Sequence, residues 1–106
     1  MPTTKIRVTT CDNELYILAV QHPSGTSEIG HIVSGFRQPV DYSVFPQSVL
    51  KPGKYTLVLV GINWGAQQAF KVTLTTDGVD QVHEISSGNT EVPAGANWTK
   101  AIPITV

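Results

Sequence analysis

Three residue types could carry chemistry in this chain, and their spacing decides what each can do. The histidines His22, His31 and His83 are far apart. They form no His-x-His, His-x3-His or His-Glu-x-x-His pattern, so the sequence predicts no metal site and no cofactor. Cys11 is the single cysteine. It can form neither an intrachain disulfide nor a thiolate zinc cluster. Asp12 and Glu14 beside it disfavour a thiolate, which predicts an inert thiol rather than a nucleophile. No Gly-x-Ser-x-Gly elbow is present. The eight carboxylates have ordinary settings: Asp77 in a turn, and Asp41, Asp80 and Glu84 on solvent-facing strand positions. The oxygen-rich turns Asp12-Asn13-Glu14 and Asp77-Gly78-Val79-Asp80 match no EF-hand loop. The reading is therefore non-enzymatic. His22 is placed in a loop, His83 on a solvent face and His31 on a strand with a local partner.

Aromatic residues offer a different chemistry, that of recognition. Trp64 lies in Asn63-Trp64-Gly65, at the tip between two strand-like runs. A tryptophan on a tight turn either folds back to cap the core or projects as an anchor for a sugar ring or protein surface. Asn63, Gln67 and Gln68 surround it with neutral hydrogen-bonding amides. No Lys or Arg lies between Lys54 and Lys71, so the tip does not suit a phosphate. The candidate ligand-binding residues are Asn63, Trp64, Gln67 and Gln68. Trp98 follows Gly95-Ala96-Asn97 and is assigned to the core. Asn97-Trp98-Thr99 matches an N-glycosylation tripeptide, here taken as accidental.

The elements that must hold these residues are strands. Val, Ile and Thr make up 33 of the 106 residues, whereas Leu and Ala occur six times each. Such a composition fits pleated surfaces rather than helices. Ile6 and Val8 alternate with Lys5, Arg7 and Thr9. Leu15 to Val20 is apolar on both faces, predicting a central strand covered on both sides or one whose second face carries a loop. Ile29 to Phe36 is a weaker strand interrupted by Gly30 and Gly35. Val40 to Phe45 alternates. Tyr55 to Ile62 follows the Pro52-Gly53 reversal. Phe70, Val72 and Leu74 alternate with Lys71 and Thr73, and Asp77-Gly78 turns that run into Val79 through Ile85. Glu91 to Asn97 reads as a loop. Trp98 to Val106 ends the chain with Pro103, which predicts an edge strand or a missing N–H turned outward.

Seven to eight such strands predict one all-β domain over residues 1–106. Its architecture is an antiparallel β-sandwich of immunoglobulin-like or jelly-roll-like topology. The segment Leu50-x-Pro52-Gly53-x-Tyr55-x-Leu57-x-Leu59, ending at Asn63, resembles the corner and following strand of immunoglobulin-like modules. Fibronectin type III and polycystic-kidney-disease-type repeats are similar there. The resemblance covers 50–63 and implies that the Tyr55 hydroxyl bonds back to the corner backbone.

Charge and hydropathy set the remaining bounds. Seven Lys+Arg against eight Asp+Glu give a net charge of −1, and the basic residues are scattered. Nucleic-acid binding, which needs clustered cations, is not expected. No apolar run reaches the ~20 residues of a membrane span, and no signal peptide begins the chain, so a cytoplasmic location is the default expectation, with signal-less export the alternative. The leading expectation is a recognition module that binds a protein or glycan through end loops. The alternative is an assembly subunit that pairs through an exposed strand edge. Oligomeric state is not set by the sequence.

Overall fold

The computed structural model describes residues 2–21, 23–35 and 38–106. Met1, His22, Phe36 and Arg37 lie outside the described residues, and with them the reading of His22 as a loop residue and the end of the expected Ile29–Phe36 strand. Strand makes up 67% and helix 4% of the structure. The elements in order are β1 (Thr3–Cys11), β2 (Asn13–Gln21), β3 (Gly25–Ser34), β4 (Tyr42–Val44), α1 (Pro46–Val49), β5 (Lys54–Asn63), β6 (Ala69–Thr76), β7 (Val79–Ser86) and β8 (Gly95–Thr105). They form two four-stranded antiparallel sheets, ordered β4-β1-β6-β7 and β3-β2-β5-β8. The sheets pack face to face as a sandwich of eight strands, as the composition predicts.

Period-2 alternation decides what goes inside. Ile6 and Val8 of β1, Leu15 and Ile17 of β2, Leu57 and Leu59 of β5, and Phe70, Val72 and Leu74 of β6 are buried in one cluster. Lys71 points to solvent between them. Burying side chains of this size contributes ~1.5–3 kcal/mol each from transfer alone. The Asp77-Gly78 turn forms as expected. Both residues have positive φ, 53° and 75°, the backbone of a type I′ reversal, and Thr76 pairs with Val79 across it.

Several expectations need correction. β3 starts at Gly25 rather than Ile29, because polar residues Thr26 to Glu28 pair with Leu18 to Val20 of β2. A bulge sets Ile29 out of register there. The alternating stretch from Val40 yields only the short β4, although Val40, Tyr42 and Val44 do turn toward the core. The helical turn α1 follows, which the alternation gave no reason to expect. β8 begins at Gly95, so the end of the expected loop is strand. His83 belongs to the inward row of β7, not a solvent face: its register partner is Val72, which is buried. Its Nε2 is buried, and burial followed by the charge of Lys100 holds its imidazole below the ordinary value.

The corner before β5 closes as the 50–63 pattern implies. The Tyr55 hydroxyl donates to the Lys51 carbonyl at 2.7 Å. Gly53 and Val106 exchange backbone hydrogen bonds of 2.8 Å each way, which ties the last residue to this corner. Pro103 does sit on an edge strand, β8.

Candidate functional site at the β5–β6 tip

The β5–β6 connection is held by the buried side-chain amide of Asn63 and by the backbone of Gln68. Asn63 continues the inward row of Leu57, Leu59 and Gly61 and is fully buried. Its Nδ2 donates to the carbonyls of Ala66 at 3.3 Å and Val92 at 3.5 Å. The Val92 amide in turn donates to Ala66 O at 2.8 Å. One side chain thereby replaces the backbone pairing that the reversal interrupts. Gln68 continues the inward row of β6 and is 6% exposed. Its backbone N–H donates to Ser87 Oγ at 2.8 Å, and the Ser87 backbone N–H donates to Gln68 O at 2.9 Å.

The neighbouring reversal clamps the other side. Asn13 Oδ1 accepts from the Trp64 amide at 2.9 Å, and Asn13 Nδ2 donates to Asp12 Oδ1 at 2.9 Å. Burial pushes the Asp12 carboxyl above its usual range. The turn closes through Gly65 and Ala66 at positive φ of 131° and 66°. Three distant segments, 12–13, 87 and 92, therefore fix the backbone of residues 63–68.

On this fixed backbone the Trp64 side chain points outward and is 60% exposed. Gln67 is half-buried beside it and Ala66 is exposed. The four candidate residues are thus neighbours with divided roles. Trp64 and Gln67 reach the surface, whereas the side chains of Asn63 and Gln68 are buried and that of Asn63 bonds the loop from within. Their Oδ1 and Oε1 atoms, like Asp12 Oδ2, are buried without a hydrogen-bond partner among the described residues. Asn13, Ser87 and Val92 were not candidates from sequence. Only the register of β2 against β5 and the path of the 87–94 segment bring them here.

The other chemistry-bearing residues are elsewhere or enclosed. Cys11 is buried, and burial, reinforced by Asp12 and Glu14, pushes its thiol up to about 12. His31 has its expected local partner: Nε2 lies 2.6 Å from Glu14 Oε2, and the ring stacks on Tyr16 at 4.2 Å. No group of three or more His, Cys, Asp or Glu side chains gathers among the described residues in a way that could hold a metal. No helix among them is long and apolar enough to cross a membrane.

Two open clefts lie toward the other end of β5. One, of about 460 Å³, is bordered by Thr3, Lys54, Thr76 and Gln81. The other, of about 250 Å³, is bordered by Gln21, Ser24 and Lys51. Neither is bordered by Trp64. Compared with known protein families, curated proteins and solved structures, the chain matches none.

Proposed function

We propose that this domain is a non-enzymatic recognition module whose contact point is the β5–β6 tip. The observation that carries the reading is Trp64: a large aromatic side chain, mostly exposed, on a loop tied down from three directions. Exposing it costs transfer free energy that a bound surface recovers. A loop already ordered loses little further entropy on binding, so more of the contact appears as affinity.

The division of amides favours a protein partner over a glycan. Sugars need several directional hydrogen bonds around the stacking ring. Asn63 and Gln68 are committed inside, leaving Gln67 and backbone groups outside. A single projecting tryptophan suits insertion into a pocket on a partner protein, where such residues act as hot spots.

Phage-displayed peptides selected on the immobilised chain, beside an oligosaccharide array, test the reading. Binders from the peptide library should quench or shift Trp64 emission. Their affinity should fall by 2 kcal/mol or more, a typical hot-spot loss, in Trp64→Ala. Binders indifferent to Trp64→Ala would remove the tip from the account.

A further inference from the structure

Three polar side chains close the end of the core beneath the tip. Cys11 and Phe70 form the last register pair of β1 with β6 at this end. Gln68 lies two residues before Phe70, on the same inward row. Asn63 lies two residues beyond Gly61, where the Phe70 ring takes the space of a side chain. Asp12 is the one residue between β1 in the first sheet and β2 in the second. Asn13 follows the Glu14–Ile62 register pair by one step, which sets it beside Asn63, and its Oδ1 holds the Trp64 backbone N–H. Asp12 therefore crosses the end of the core with Phe70 before it and Asn63 after it. All three side chains are more than nine-tenths buried: Asp12 is 2% exposed, Asn63 0% and Gln68 6%.

Each of the three leaves one oxygen unserved among the described residues: Asp12 Oδ2, Asn63 Oδ1 and Gln68 Oε1. The opposite ends of two of them are committed. Asp12 Oδ1 accepts from Asn13 Nδ2, and Asn63 Nδ2 donates to the Ala66 and Val92 carbonyls. All three unserved atoms are acceptors, and a buried acceptor without a donor is costly. A proton on Asp12 Oδ2 serves one amide oxygen and leaves the other. A water molecule has two hydrogens for three acceptors. A cation serves all three at once and neutralises the carboxylate.

The donor set selects the ion. Oxygen atoms without imidazole or thiolate suit a hard cation rather than zinc or copper. Magnesium demands near-octahedral geometry and gives up water reluctantly, whereas calcium accepts irregular sets of carboxylate and amide oxygens. We propose that Asp12, Asn63 and Gln68 form a calcium site beneath the β5–β6 tip, through Oδ2, Oδ1 and Oε1. Calcium takes ~6–8 oxygens, so water or main-chain carbonyls complete its shell. A single carboxylate places the affinity at the weak end, ~10⁻⁴–10⁻³ M. The sequence shows no such site, because Asp12 is remote from Asn63 and Gln68 along the chain and side-chain amides belong to no His or Cys pattern. The inference does not depend on what Trp64 contacts.

Thermal unfolding of the EDTA-treated chain, repeated with calcium, magnesium or sodium chloride at matched ionic strength, tests it. Calcium at ~10 mM should raise the midpoint by at least ~5 °C, and the other two salts should not. Titration calorimetry with calcium should give one site per chain. Asp12→Asn keeps the acceptor for Asn13 and sets a donor where Oδ2 stood. It should lose the calcium shift while melting in EDTA at or above the parent midpoint. Gln68→Glu adds a carboxylate and should tighten calcium binding at least ~10-fold; this variant keeps the test decisive should Asp12→Asn misfold. A parent chain that neither shifts with calcium nor binds it would overturn the proposal and leave a proton on Asp12 to serve the cluster. An equal shift in Asp12→Asn would overturn it in favour of surface carboxylates. Calcium affinity unchanged by Gln68→Glu would overturn it as well.

Discussion

Phe70 of β6 and Trp98 of β8 stack across the two sheets, with ring centroids 5.6 Å apart and planes 6° from parallel. This contact separates the fates of the two tryptophans. Trp98 is 4% exposed and closes the core on the β8 side. Trp64, on the β5–β6 connection, has no such stacking partner among the described residues and projects. Trp98→Ala should therefore destabilise the fold by ~3–5 kcal/mol. Trp64→Ala should stay within ~0.5 kcal/mol, as surface changes do. Urea denaturation midpoints of the two variants check the contrast; equal losses would place both rings in the core.

The same stack explains a glycine. A Cβ built on Gly61 would lie 2.9 Å from Phe70 Cε2 and 3.0 Å from its Cζ. The ring cannot retreat, because Trp98 lies against it. Gly61→Ala should cost ~1–3 kcal/mol through overpacking, despite the better strand propensity of alanine. A calorimetric midpoint at or above that of the parent chain would contradict this.

Tyr55→Phe removes the hydroxyl that donates to Lys51 O across the Pro52-Gly53 corner. The expected loss is ~0.5–1.5 kcal/mol, the net contribution of one hydrogen bond. Chemical denaturation should show it as a shifted midpoint with an unchanged slope. An unmoved midpoint would mean that the corner holds without this bond.

Cys11 gives a pH dependence. Its thiol is pushed from an ordinary 9.0 up to about 12, first by burial and then by Asp12 and Glu14. Above pH 9 the unfolded chain gives up this proton while the folded chain keeps it. By linkage the folded state then loses stability as pH rises. The loss should grow between pH 9 and pH 12 and be absent from Cys11→Ala when each is compared with itself at pH 7. In the native chain the thiol should resist Ellman's reagent at neutral pH and react on unfolding. Fast native reaction would contradict the buried placement.

What was legible in the sequence was whatever local alternation encodes. The β6 row of Phe70, Val72 and Leu74 and the Asp77-Gly78 turn are complete signals within ten residues. The start of β3 was not legible, because Gly25 to Glu28 is polar and acquires strand structure only by pairing with β2. The four-residue α1 is too short to show a helical period. At the tip, the sequence leaves the exposure of Trp64 open, and nothing local in it turns Asn63 and Gln68 inward. The Asn63 side chain bonds Val92 O and the Gln68 backbone N–H bonds Ser87 Oγ, partners 29 and 19 residues away. A window along the chain cannot see such partners. His83 departs from the expected solvent face for a related reason: its position follows from its register with Val72, not from the polar residues around it.

The central claim is that Trp64 is a contact residue and not a structural one. Affinity and melting temperature measured together on Trp64→Ala test it most directly, with a peptide ligand selected on the parent chain. The account predicts that binding falls at least ~30-fold, about 2 kcal/mol, while the melting temperature moves by less than ~2 °C. Binding kept at parental strength, or lost only because the chain melts, would contradict it.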